Sequence, residues 1–144
     1  MKIKLLVPAI FLLMFSNFSF SQVEDTLNSD LYSWLKTIPD IEVTAIKPDK
    51  IFTEAYEIFV TQPIDHNNPD GPKFKEQIFL SHVDKDKPMV IDLDGYAVNN
   101  RTTELSKILQ CNQIMVEHRY FGESIPAPFD WKYLTIKQAA DDHH

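Results

Sequence analysis

Apolar residues recur along the chain with more than one period. Between Leu27 and Leu35 they fall at positions 27, 31, 34 and 35, the spacing of one face of a short helix. From Ala55 to Gln62, Tyr56, Ile58 and Val60 alternate with Glu57, Phe59 and Thr61, and a second alternating run covers Phe74 to Val83. Both read as strands. The segment between them, Pro63-Ile64-Asp65-His66-Asn67-Asn68-Pro69-Asp70-Gly71-Pro72, is dense in turn formers. An antiparallel hairpin is therefore predicted.

Further on, the pattern changes. Met89-Val90-Ile91 is continuously apolar, which predicts a strand buried on both faces of a mainly parallel sheet. A loop over 92–100 follows, then a helix from about Thr102 to Leu109 with Leu105, Ile108 and Leu109 on one face. Gln113 to Glu117 is a second strand of the buried type. Strand, helix and strand in this order form a βαβ unit, which implies a parallel pair and a right-handed crossover. A last helix should start near Thr135, where Thr135 and Gln138 have capping-box spacing. Pro39 and Pro48 bracket a connection expected to be irregular. The predicted class is α/β, an antiparallel hairpin followed by a βαβ unit. It is incomplete as a domain, because a parallel sheet needs more strands and helices on both faces.

The beginning of the chain has another character. Lys2 and Lys4 precede an apolar run, Leu5 to Phe15, that is short for a membrane span. Ser19 and Ser21 follow with the spacing signal peptidase requires. Residues 1–21 are expected to be a signal peptide, with Gln22 the mature N-terminus and no cysteine nearby to carry a lipid anchor. Residues 22–54 are then expected to form an irregular or helical extension, and 55–144 the first part of an α/β domain. The expected location is periplasmic or extracellular, free of the membrane after cleavage.

Composition narrows the partners. With 44% apolar and 24% charged residues the chain is of ordinary globular type. The net charge of −7 is spread along the sequence, which argues against nucleic acid and anionic membrane surfaces, since both need clustered Lys and Arg. The single cysteine, Cys111, excludes an internal disulfide and Cys-based metal clusters. Lying between a helix end and an apolar strand, it is expected to fill space.

Three segments point to one family: Gln62-Pro63-Ile64-Asp65-His66-Asn67-Asn68-Pro69, Glu117-His118-Arg119-Tyr120-Phe121-Gly122-Glu123-Ser124, and Tyr133-Leu134-Thr135-Ile136-Lys137-Gln138-Ala139-Ala140-Asp141-Asp142-His143. Together they resemble the secreted bacterial tripeptidyl (prolyl) aminopeptidases, serine peptidases similar to the lysosomal Pro-X carboxypeptidases, which share Glu-His-Arg-Tyr. The resemblance runs from about Val60 to the last residue. It implies an α/β-hydrolase fold with an inserted helical cap, a Ser/Asp/His triad, and release of short peptides from a free N-terminus, often after proline. It implies no metal or organic cofactor. The hairpin and βαβ unit would be the N-terminal part of the α/β-hydrolase sheet.

In that fold the loop after the third strand supplies one oxyanion-hole donor. Here the loop is Asp94-Gly95-Tyr96, where the family usually has Glu before Gly-Tyr. Gly95 would let backbone approach a substrate carbonyl, and the N–H of Gly95 or Tyr96 would stabilise the oxyanion. His118 is not expected to be the catalytic base, because the triad order ends on its own later His. His118, Arg119, Glu117 and Glu123 are read as structural support, with Arg119 fixing Glu117 or Glu123 bidentately and Tyr120 and Phe121 packing under the active-site floor. His66, His82, His143 and His144 are read as surface or core histidines. The three glycines, Gly71, Gly95 and Gly122, flank no serine, so no Gly-x-Ser-x-Gly elbow is present. The nucleophile, acid and base are expected beyond residue 144, and these residues alone are expected to be inactive.

Two other readings compete. Asp92 and Asp94 in Val90-Ile91-Asp92-Leu93-Asp94-Gly95 have the spacing of the first motif of haloacid-dehalogenase-type phosphatases, in which the first Asp attacks phosphate, the second acts as acid/base, and both help hold magnesium. A non-enzymatic exported module is the other.

Overall fold

A computed structural model describes Leu27 and residues 29–144. The predicted signal peptide lies outside the described residues. In chain order the elements are α1 (Asp30–Leu35), β1 (Ile41–Ile46), β2 (Glu54–Pro63), β3 (Lys73–His82), β4 (Met89–Asp94), α2 (Glu104–Leu109), β5 (Asn112–Glu117), a 3-10 turn (Trp131–Tyr133) and α3 (Ile136–Asp142). The strands form one sheet ordered β1-β2-β3-β5-β4. The pairs β1–β2, β2–β3 and β3–β5 are antiparallel, and β4–β5 is parallel. The hairpin thus forms as expected, with Gln62 opposite Phe74 across the turn segment. The α2 crossover delivers β5 to the inner side of β4, so the later strand lies between the hairpin and the earlier one.

Period-two alternation divides the side chains between the two faces. One face carries Val43, Tyr56, Ile58 and Leu80, which form a core with Leu35 of α1. Tyr32 of α1 stacks on Tyr56 with ring centroids 5.9 Å apart. Burial and the neighbouring Glu54 carboxylate push the Tyr56 hydroxyl pKa up. The opposite face gathers Phe79, Met115 and Val98, with Ile46 packed against them.

Three expectations are corrected. The connection between Pro39 and Pro48 is the strand β1, in register with β2 from Ile41 opposite Val60 to Ile46 opposite Ala55. Its alternating Ile41, Val43 and Ala45 carry the strand signal, and both prolines lie outside it. Among the described residues β4 is the last strand of the sheet and is not buried on both faces: Ile91 is 61% and Leu93 57% exposed, and α1 packs at the β1–β2 end of this face. Finally, α2 does not bury Leu105, Ile108 and Leu109, all of which are exposed. The helix stands on fully buried Ser106, whose hydroxyl accepts from its N-cap Thr103 at 2.8 Å. The thiol of Cys111 is fully buried, as its position between α2 and β5 suggested.

Candidate active-site loop

β5 organises the loop that leaves β4. Gln113, Met115 and Glu117 stand at i, i+2 and i+4, on the face turned toward the crossover. Fully buried Gln113 holds the end of the loop: its amide nitrogen donates to the carbonyl of Arg101 at 2.7 Å, and its amide oxygen accepts from the backbone of Thr103 at 2.9 Å. Met115 packs against Val98. Glu117, 1% exposed, takes the middle of the loop through the Val98 N–H, which donates to Oε1 at 2.9 Å. At the root, the His118 N–H donates to the Asp94 carbonyl at 3.2 Å.

The other oxygen of Glu117 faces the turn that follows β5. Oε2 accepts from the backbone N–H groups of Glu123 and Ser124 and from the Ser124 hydroxyl, at 2.8, 2.9 and 2.8 Å. The Ser124 oxygen in turn accepts from the Gln77 N–H of β3. Gly122 passes directly over this carboxylate. Its φ is +45°, and a Cβ there would lie 2.6 Å from Glu117 Cδ and closer still to Oε1. Glycine is required both for the left-handed backbone and for the room.

Arg119 is the second hub. Its guanidinium, fully buried, grips Asp142 of α3 with two bonds, Nε to Oδ2 at 2.6 Å and Nη2 to Oδ1 at 2.7 Å. It also donates to the carbonyls of Pro63, Ile64 and Tyr133, and lies 5.2 Å from the centroid of the Phe74 ring. This planar fork is what bidentate recognition of a carboxylate requires. The expected partners Glu117 and Glu123 are thereby corrected to Asp142. Glu117 is taken up by backbone donors, whereas α3 brings Asp142 against the open edge of the guanidinium.

His66 joins the same cluster, its Nε2 2.7 Å from Asp142 Oδ1. Gln138 half-fulfils its capping role. Thr135 accepts from the Gln138 N–H at 3.2 Å, but the Gln138 side chain is diverted to the His66 N–H at 2.9 Å and to Asp65 at 2.7 Å. The hydrogen bonds from the Asn67 backbone and then from Gln138 lower the pKa of Asp65. Glu76 of β3 lies beside this cluster, 1% exposed. One of its oxygens has no hydrogen-bond partner, and the other meets the Gln62 amide at 3.3 Å. Burial, and then the neighbouring Asp142 charge, push its pKa up to about 8.

The predicted loop residues sit at the carboxyl end of β4. Gly95 has nothing within 4 Å of where a Cβ would stand. Tyr96 is 72% exposed, and its ring meets Phe121 edge-on at 5.3 Å. Phe121 meets His118 in the same way, so its ring packs against both Tyr96 and His118, while Tyr120 turns away to Phe129 and Trp131. Asp92 and Asp94 both face Arg101, each 3.2 Å from Nη2. Among the described residues no group of three or more His, Cys, Asp or Glu side chains is placed to hold a metal ion. Sequence reading missed the roles of Gln113, Ser124 and Asp142, and the contacts of Gln138 with His66 and Asp65. The polar residues flanking the apolar centre of β5 were the available signal for the first. Asp142 had none in spacing, since its partner lies 23 residues away.

Comparison with known proteins identifies the family. The model of the family described as PS-10 peptidase S37 matches residues 25–144, and the chain belongs to that family. A prolyl tri/tetrapeptidyl aminopeptidase of Streptomyces mobaraensis is 36% identical over 121 residues, covering 81% of this chain and 24% of that protein. A protein of Arabidopsis thaliana named probable serine protease EDA2 is 27% identical over 110 residues, covering 67% of this chain and 22% of that protein. The chain therefore spans about a quarter of the length of the curated relatives it matches. Membership of a peptidase family removes the phosphatase reading of Asp92 and Asp94.

Proposed function

We propose, for this member of the PS-10 peptidase S37 family, an exported serine exopeptidase that releases short peptides from free N-termini, with these residues supplying the oxyanion side of its site. The observation that carries the proposal is the Gly95–Tyr96 arc. It is exposed, open above Gly95, and sits at the carboxyl end of a parallel strand, where ligands bind in open α/β sheets. The strand order β2-β3-β5-β4, with its parallel pair, is consistent with the opening of an α/β-hydrolase sheet. In that fold, a loop at this position contributes an N–H to the oxyanion hole.

The chemistry follows from this placement. Attack on a scissile carbonyl by a serine outside these residues places negative charge on the carbonyl oxygen. A backbone N–H of Gly95 or Tyr96 would meet that oxygen without moving, because the loop is already held. The triad acid and base belong, in this reading, to the chain beyond residue 144, and residues 1–144 alone are inactive. Preference for proline rests on the Streptomyces relative, whose name states it.

The test uses the full-length protein. Tripeptide release from a peptide with a free α-amino group, compared with its N-acetylated form and with and without a fluorophosphonate, should show selective, reagent-sensitive cleavage. Equal cleavage of both peptides would overturn the exopeptidase reading, and insensitivity to the fluorophosphonate would overturn the serine mechanism.

A further inference from the structure

The loop after β4 is fixed at both ends of its exposed part and free between them. Its root is tied where His118 donates to the Asp94 carbonyl, and its far side where Val98 donates to Glu117. Only Gly95, Tyr96 and Ala97 lie between the two ties, and all three are exposed. Val98 itself is buried, so the arc ends at a rigid point. The same carboxylate closes the turn after β5 through Glu123 and Ser124. That turn carries Phe121, which supports Tyr96 edge-on. Two segments that flank the open space above Gly95 are therefore set by one buried side chain.

We infer that Glu117 is a positioning residue of the peptidase site. Its two carboxylate oxygens fix the arc Gly95–Ala97 relative to the turn 121–124, and so aim the oxyanion donor. The inference rests on the oxyanion role proposed for the arc. Four donors converge on the carboxylate, three of them backbone or side-chain groups of one turn and the fourth from the loop. An ionised carboxylate is acceptor-only and can take all four. Glutamine has the same shape but only one accepting oxygen, and its NH2 would face a donor. Gln can therefore hold the loop or the turn, but not both.

A donor displaced by about 1 Å costs on the order of 10²-fold in rate. In full-length protein, Glu117→Gln should lower kcat for tripeptide release about 10²-fold while KM stays within a few-fold. Affinity for a peptide aldehyde, which presents an oxyanion, should fall in step with kcat/KM, and affinity for the tripeptide product should not. A merely structural role would lower active enzyme concentration, leaving both affinities of the folded fraction intact. Amide exchange at Val98, Glu123 and Ser124 gives a readout independent of turnover, and faster exchange is expected at one or more of them. Unchanged kcat in an active enzyme overturns the inference and leaves the peptidase reading standing. A wild-type protein inert toward peptides removes the peptidase reading, and unchanged exchange at all three amides removes the clamp itself.

Discussion

Replacing Glu76 by glutamine should remove a pH dependence that the wild-type fold carries. The Glu76 carboxyl is buried on β3, with one oxygen unpartnered and the other on a long bond to Gln62. Arg119 approaches, but its charge is matched by the bidentate Asp142. Burial first, and the Asp142 charge next, raise the pKa from 4.5 to about 8. In the unfolded chain the group titrates near 4.5, so between about pH 4.5 and pH 8 the folded state holds a proton that the unfolded state has lost. Stability from this group is thus full below about pH 4.5 and falls as pH rises to about 8, beyond which the loss is complete. At about 1.4 kcal/mol per pH unit, the whole fall is on the order of 5 kcal/mol. Glutamine carries no charge at any of these pH values, while its buried amide costs about 1–3 kcal/mol in unmet hydrogen bonds. Urea denaturation of wild type and Glu76→Gln at pH 5, 6, 7 and 8, at fixed ionic strength, reads the difference directly. Groups remote from Glu76 contribute equally to both profiles. The variant should be equal to or weaker than wild type at pH 5 and stronger at pH 8. Parallel pH profiles would refute the reasoning, because they would mean that Glu76 binds its proton equally in both states.

The other predictions separate stability from turnover. Gly95→Val should leave the urea midpoint of the full-length protein nearly unchanged, since no atom lies within 4 Å of the new Cβ. It should cut peptide turnover by about 10²-fold or more through the blocked approach to the oxyanion site, and near-normal turnover would remove Gly95 from that site. Gly122→Ala should destabilise the protein by more than about 2 kcal/mol, because the left-handed φ costs about 1–2 kcal/mol in itself and the Cβ overlaps Glu117. A melting temperature within a degree of wild type would contradict the close approach. Arg119→Met and Asp142→Asn should each cost about 3–5 kcal/mol, as expected when one partner of a buried pair is left alone. The double variant should cost clearly less than the two singles combined, and simple additivity in the denaturation midpoints would deny the coupling.

The elements that could be read from the sequence are those whose local pattern and tertiary environment agree. The β2–β3 hairpin is one: its alternation matches a sheet with a distinct core on each face, and its turn formers coincide with the turn. The cap of α3 at Thr135 is another. The elements misread are those where neighbours decide. Continuous apolar character in Met89-Val90-Ile91 suggested burial on both faces, yet among the described residues nothing covers the outer side of β4. The leucines of α2 suggested a buried stripe, yet the helix is held by Ser106 and its cap. β1 was obscured by flanking prolines that restrict only the residues beside them.

The site divides along the same line. Gly95 was singled out as a glycine directly after a strand, and the structure places it exposed, with open space above it, at the carboxyl end of β4. The carboxylate that holds its loop was named for the wrong partner. A charged residue announces that it needs a counterpart if buried, but its sequence neighbours say nothing about which groups the fold will supply. Arg119 sits two residues from Glu117 but beyond the end of β5, where the chain turns, and the two side chains enter different hubs, one to backbone donors and one to Asp142. The three segments that marked the family, around residues 62–69, 117–124 and 133–143, meet at Arg119 through Pro63, Ile64, Tyr133 and Asp142. Distant segments that share one buried guanidinium are constrained together, since a change in any of them leaves a buried polar group without its partner. The family signature in this chain is thus largely the signature of a scaffold. The groups closest to the proposed chemistry, the backbone N–H groups of Gly95 and Tyr96, are common to every non-proline residue, so the side chains mark the loop and not the donor itself.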